Sequence, residues 1–256
     1  MSLHACAEIV QRGDPDRFLA TMAAPAPARA VLFPLYAFNM EVARAPWMAS
    51  EPMIAEMRLQ FWRDVADDMA AGKPPRAHEV AAPLAAAMPP DCAPLLDALV
   101  AARRWDIYRD AFEDAAHFDA YLDATSGNLT WAGARALGAA PEAEAPIRAL
   151  AFAAGIAALL RAVPDLQARG RIPLLDGTGA GVRDLAERGL AKWAEGRAGR
   201  GLISRPARAA LLALWRTRST LISARDLPER VIEGKLDESE FARRGRLLMA
   251  QLRGGI

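Results

Sequence analysis

The chain has 256 residues, 25% charged and 53% hydrophobic, enough to bury a full core without covalent staples. Basic and acidic residues nearly cancel, 32 against 31, and a net charge of +1 argues against a bulk polyanion binder; no nucleic-acid partner is expected. Alanine fills roughly a fifth of the chain while valine, isoleucine and threonine are sparse, a balance that argues against an all-β fold.

Helical signals follow one another along the chain. Pro27 to about Arg44 opens with proline and carries Val31, Leu32, Leu35 and Phe38 on one face. Ser50 reads as an N-cap with Pro52 in the first turn, Ile54, Met57, Phe61 and Val65 at helical spacing, and Gly72 as the stop. Asp91 is expected to cap a helix through Leu95, Leu99 and Ala102 to about Tyr108. Further helices are predicted from about Phe118 to Leu137, stopped by Gly138, and from about Ala145 to Val163, ended by Pro164. Arg169 to Val182, rich in glycine, reads as a loop. Three helices complete the chain: Val182 to Ala194, Pro206 to Ala224, and one capped by Asp237 with Glu240 three residues on. No linker-type break or internal repeat interrupts this series, so one all-α domain of about ten helices over 1–256 is expected.

Cys6 and Cys92 make no disulfide framework, and with His4, His78 and His117 scattered, no zinc site. No secretory signal is seen, and the best apolar run, Ala149 to Leu160, is too short to span a bilayer. The expected location is the cytoplasm, with a peripheral contact at the inner face of the cytoplasmic membrane left open. Only Lys73, Lys192 and Lys235 are lysines, against 29 arginines. From Arg197 onward 13 basic residues face 6 acidic ones, an excess of +7 that includes Arg205, Arg208, Arg216, Arg218, Arg243, Arg244 and Arg246. That excess predicts salt-sensitive binding to an anionic lipid face, with Leu211, Leu212, Leu214, Leu247 and Leu248 committed to the core. A protein-docking face and a plain solvated surface are the alternatives.

Two acidic ladders, Asp64/Asp67/Asp68 and Asp106/Asp110/Asp114, put carboxylates four residues apart on one helix face, a spacing that can hold magnesium through water and a diphosphate. A solvated acidic face is the simpler reading of either. More specific is a set of segments in fixed order: Arg17-Phe18-Leu19, Pro25-x-x-x-Arg29, Leu35-Tyr36-Ala37-Phe38, Phe61-Trp62-Arg63-Asp64, Arg104-x-Asp106, Tyr121-x-x-x-Thr125-Ser126-Gly127, Leu160-Arg161 and Gly170-Arg171. In that order and spacing they resemble the squalene/phytoene synthase family, most strongly over 17–176, with basic helices following over 197–256.

The resemblance implies an isoprenoid-synthase-like helical bundle around a central cavity. Active members of that family condense two prenyl diphosphates head to head, using two aspartate clusters that hold magnesium against the leaving group. The positions of the first cluster are Ala43, Arg44 and Trp47 here, and those of the second are Ala162 and Leu166. The resemblance therefore implies no metal site, no cofactor and no catalytic residues. Asn39-Met40-Glu41-Val42-Ala43-Arg44, followed by the segment from Ser50 to Asp64, resembles the branch that includes a mitochondrial respiratory complex I assembly factor and its alphaproteobacterial relatives.

The role so implied is assembly of complex I, with its subunits or assembly intermediates as partners and an isoprenoid or lipid as a cavity ligand. The residues expected around that cavity are Tyr36, Phe38, Glu41, Arg44, Glu56, Arg58, Trp62, Tyr121, Thr125, Ser126, Gly127 and Arg161. Two alternatives stay open: an active head-to-head prenyltransferase with a rebuilt site, and an isoprenoid- or quinone-binding protein. For Tyr36, Phe61 and Trp62 a place in the core or cavity wall is the simpler reading; surface pairs among Glu51, Glu56 and Arg58, and close helix packing at Thr125 to Gly127, stay open as alternatives.

Overall fold

Ser2 and Asp14 each place a side-chain oxygen at the start of a helix the sequence reading had not identified. Ser2 caps α1 (Leu3–Gly13), and Asp14 caps α2 (Pro15–Ala23), accepting from the Arg17 N–H at 2.9 Å with Pro15 in the first turn. The computed structural model describes residues 2–48, 51–108 and 110–255, and among these there are no strands.

The longer helices α3 (Ala26–Arg44) and α4 (Pro52–Ala70) lie close to their expected limits. Ser50, expected as the cap of α4, lies outside the described residues, and Glu51 occupies the cap position. The buried face of α4 is Ala55, Leu59, Trp62, Val65, Ala66 and Met69. Of the expected stripe only Val65 is fully buried; Ile54 is 42% and Met57 68% exposed. The helix is rotated by about one residue from that reading, because Trp62 packs edge-to-face on Phe38 of α3 and draws its own side of α4 inward. Gly72 ends the helical run with φ of +63°, where a side chain would be strained.

The short α5 (Ala81–Ala87) leads to α6 (Ala93–Ala102) and α7 (Trp105–Tyr108). Asp91 does not cap α6; it pairs with Arg135 at 2.6 Å, and the helix expected to reach Tyr108 breaks at Arg103 and Arg104. The predicted Phe118–Leu137 helix is likewise divided: α8 (Ala115–Leu122), a π-helical turn (Asp123–Gly127) and α9 (Asn128–Ala136). Such π-turns widen a helix locally and re-aim its side chains.

Next, α10 (Glu144–Ala168) runs straight through Pro164. The proline removes one hydrogen bond to the Leu160 carbonyl, but the following turn closes with the Arg169 N–H on Asp165. By length and composition alone the helix over Pro141–Ala168 could cross a membrane; half of its most apolar window is buried within the bundle, and Ile147, Leu150, Ile156 and Leu160 sit in its centre. It packs most extensively on α11 (Gly179–Ala198), which begins earlier than expected because Thr178 caps it, accepting from the Gly181 N–H at 3.1 Å. A Cβ on Gly196 would fall 2.5 Å from Leu150 Cγ and 2.6 Å from the Pro146 carbonyl, so the two helices close through that glycine.

The expected Pro206–Ala224 helix is three pieces: α12 (Arg208–Leu211), a 3-10 turn (Leu212–Leu214) and α13 (Thr217–Asp226). After α14 (Glu229–Ile232), α15 (Glu240–Leu252) is capped by Ser239, accepting from the Ala242 N–H at 3.3 Å. Asp237, expected in that role, instead accepts from Arg216. Leu211, Leu212 and Leu214 are buried as expected, but α15 has no fully buried residue and Leu248 is 55% exposed. The expected basic surface is also thinned: Arg216 and Arg243 pair with Asp16, Arg244 with Glu240 and Arg246 with Glu238.

Candidate functional site

A cavity of about 240 Å³ opens between the end of α3, the α6–α7 break, the π-turn and α10. Helix breaks make room for it: Arg103 lies in the break and Trp105 directly after it, and Thr125 and Ser126 lie within the π-turn. On the α10 side Gly155 allows close approach, since a Cβ there would lie 2.9 Å from Ser126 Oγ. Ala158, Leu159, Ala162 and Leu166 form the α10 wall, and Ala43 and Trp47 the opposite one.

Four of the five positions where the family resemblance places metal-binding aspartates thus line the cavity: Ala43, Trp47, Ala162 and Leu166. Arg44, the fifth, is exposed. Magnesium requires oxygen ligands, and methyl, indole and isobutyl groups offer none. No group of three His, Cys, Asp or Glu side chains placed to hold a metal occurs among the described residues. The donor set at these positions does not fit magnesium.

The charged groups of this cavity hold one another. Asp106, 6% exposed, accepts from Tyr121 Oη at 3.0 and 3.2 Å and from Arg103 Nη1 at 3.1 Å. Arg103 Nη1 also donates to Tyr121 Oη at 2.7 Å. Arg171 donates to the Asp106 carbonyl at 3.0 Å and lies over the Trp105 ring at 4.0 Å. Burial, against the opposing pull of Arg103, pushes the Tyr121 phenol well above its ordinary range. Burial opposes the charge on Arg103, but Tyr121 and Asp106 hold that guanidinium firmly protonated.

A second compartment of about 300 Å³ shares Ala43, Arg103, Ser126 and Ala158 with the first and runs toward Asp16, Asn39, Arg161 and Arg216. Here Asp16 accepts from Arg161 at 3.0 Å and from both Arg216 and Arg243. Burial alone would raise the Asp16 carboxyl, but these guanidiniums hold it below the usual carboxylate range.

Of the residues singled out from sequence, Tyr121, Thr125 and Ser126 line the first compartment, and Ser126 and Arg161 the second. Thr125 donates to the Tyr121 carbonyl at 2.6 Å. Gly127 is buried behind them, where a Cβ would lie 2.7 Å from Asp123 Oδ1, a packing role. Tyr36, Phe38 and Trp62 are core residues outside the lining. Tyr36 donates to the Ala210 carbonyl at 3.3 Å, and burial pushes its phenol up to about 12. Glu41 and Arg44 also lie outside the lining. Glu56 pairs with Arg104 at 2.8 Å and accepts from Tyr108 at 3.1 Å, while Arg58 is exposed and reaches Met48 Sδ at 3.8 Å. Asp64 and Asp68 are bridged by Arg76 on the outer surface, and Asp114 caps α8.

Arg103, Trp105, Asp16 and Arg216 were not anticipated as site residues. The Arg104-x-Asp106 motif pointed to the neighbourhood of the first two. Nothing local marks the third and fourth, which meet only through the fold.

The squalene/phytoene synthase family model matches residues 10–174. Human (Homo sapiens) NADH dehydrogenase (ubiquinone) complex I, assembly factor 6 is 36% identical over 72 residues, 28% of this chain and 22% of that protein. The Mus musculus assembly factor 6 is 27% identical over 170 residues, 65% of this chain and 51% of that protein. The chain therefore aligns with about half, or less, of the length of these relatives. Among solved structures, a dehydrosqualene synthase bound to ligand superposes with a TM-score of 0.82 at 17% identity, over 98% of this chain and 95% of that one. A squalene synthase from Alicyclobacillus acidocaldarius gives 0.71 at 18%, over 88% and 93%. These two likenesses establish the helical fold.

Proposed function

The chain belongs to the squalene/phytoene synthase family, and from that premise we propose that it is a catalytically silent member acting in the assembly of respiratory complex I. The observation that carries the first half is the set Ala43, Trp47, Ala162 and Leu166 on the cavity walls. Ionising a prenyl diphosphate develops charge on the leaving group, and its stabilisation needs fixed opposite charge at that place. The walls at those four positions are apolar, and the guanidiniums that do line the cavity are already engaged, Arg103 by Asp106 and Tyr121 and Arg171 by the Asp106 carbonyl.

The second half is supported by the relatives named as complex I assembly factors. On this reading the partners are complex I subunits or assembly intermediates. An affinity-tagged full chain, captured from native membranes, is expected to enrich such subunits, and loss of the gene to lower NADH:ubiquinone oxidoreductase activity. No enrichment together with unchanged activity overturns the proposal.

A second reading, an isoprenoid- or quinone-binding protein, draws on the apolar arm formed by Ala158, Leu159, Ala162 and Leu166. Co-extraction of a stoichiometric isoprenoid with the purified chain, without complex I subunits in the capture, favours it.

A further inference from the structure

Five arginines surround a recess of about 740 Å³ that has no lining residue in common with either compartment of the central cavity. Arg29 comes from the start of α3, Arg200 and Arg205 from the chain between α11 and α12, Arg208 from the first position of α12, and Arg253 from just past the end of α15. No aspartate or glutamate lines the recess, and none of the five makes an ion pair among the described residues. This sets the recess apart from the rest of the surface, where arginines are mostly neutralised by nearby carboxylates.

Three of the guanidiniums are held in place by neutral carbonyls. Arg29 donates to Ala24 and Met22, Arg200 to Arg253 and Gly254, and Arg208 to Ile203 and Arg200. Such bonds fix the geometry of a guanidinium and leave its charge in place. Arg205 and Arg253 are exposed, and their side chains form no such bond among the described residues. Positive charges gathered without a counter-charge repel one another, and an anion with several acceptor oxygens relieves that repulsion.

The recess adjoins an apolar surface. Leu252 lines it and is 71% exposed, and Phe241 at 89% and Leu248 at 55% lie on the same side of α15. The opposite side of the helix carries Leu247 and Ala250 against the core and Arg243 against Asp16. An apolar stripe on a docked helix, edged by a cationic recess, matches a lipid surface that offers phosphate at the headgroup and hydrocarbon just below it.

We propose that the arginine recess receives the phosphate of an anionic phospholipid headgroup while Phe241, Leu248 and Leu252 enter the bilayer interface. This goes beyond the assembly reading, and neither stands or falls with the other. It also departs from the purely electrostatic contact expected from sequence, since the apolar stripe takes part.

The test is flotation of the purified full chain with vesicles of phosphatidylcholine alone and of phosphatidylcholine mixed with phosphatidylglycerol. Binding is expected to the mixed vesicles and not to the neutral ones. The double variant Arg205→Gln/Arg253→Gln should lower partitioning about tenfold or more, as should Phe241→Ser/Leu252→Ser. Arg225→Gln, which removes a guanidinium paired with Asp226 on α13, should leave it unchanged. Arg205, Phe241, Leu252 and Arg253 are exposed and Arg225 is half-buried, and unfolding midpoints matching the parent chain show that the fold is intact. Equal binding to both vesicle types, or no loss in the arginine variant, overturns the proposal. So does stabilisation by inorganic phosphate, against chloride of equal ionic strength, with no vesicle binding, which would mark a small-anion site instead.

Discussion

Arg161 Nη1 donates to Asp16 Oδ2 at 3.0 Å, joining α10 to α2 across 145 positions of sequence. Arg161 is a residue that the family resemblance put among the ligand candidates, yet its charge is answered from within the chain. Arg216 and Arg243 converge on the same carboxylate. The far end of the two-compartment cavity is therefore already neutralised, and the same carboxylate tethers α15 to the body.

Asp16→Asn should destabilise the fold by about 3 kcal/mol, since it leaves the buried Arg216 with one carboxylate fewer. The pH dependence has a definite sign. The folded Asp16 carboxyl lies below its ordinary 3.8, so its contribution is complete above about pH 4 and is lost as pH falls through the lower folded value. Urea melts of parent and variant should differ at neutral pH and converge in acid. A constant difference down to pH 2 would show that Asp16 acts by packing alone.

Incubation with farnesyl or geranylgeranyl diphosphate and magnesium should give no hydrocarbon product above a boiled control. Ala43→Asp with Ala162→Asp should not restore turnover, because Trp47 and Leu166 remain at the paired positions. Product formation by the parent chain would establish a rebuilt active site.

Gly196→Ala should destabilise by about 1–3 kcal/mol, because the new methyl meets Leu150 and the rigid Pro146 carbonyl. Gly201→Ala is the matched control: a Cβ there meets nothing within 4 Å. Thermal unfolding of the two variants should separate them clearly, and equal midpoints would mean that α10 and α11 have room to shift apart.

Both cysteines are buried, free thiols, and burial pushes Cys6 and Cys92 up to about 11. At pH 8 the folded chain should react slowly with a thiol reagent such as Ellman's, and both thiols should react promptly in denaturant. Fast labelling of the native chain would reveal an opening of the helices that cover them.

Proline and glycine punctuation made α3, the end of α4 and the stop at Gly138 legible from sequence, because these residues restrict or release the backbone wherever they stand. Pro164 was the exception. The loss of one hydrogen bond did not end α10, since the helix as a whole is held by packing along α11 and α13. The face of α4, the break at Arg103 and Arg104 and the π-turn before α9 escaped the reading for a related reason: each answers to a neighbouring helix, and hydrophobic spacing alone cannot distinguish a helix from the same helix turned by one residue.

The amino-acid sequence by itself determined the helical class, the family and the absence of carboxylates at 43, 44, 47, 162 and 166, because composition, motif order and residue identity are local properties. Only the tertiary structure decided which charges are spent and which are free. Arg216 and Arg243 looked like surface cations until Asp16, some two hundred residues earlier, was brought between them. Arg29, by contrast, joined Arg200, Arg205, Arg208 and Arg253 around a recess that no aspartate or glutamate lines among the described residues. Ion pairing and burial depend on distance in space, and distance in space is set by how the helices pack.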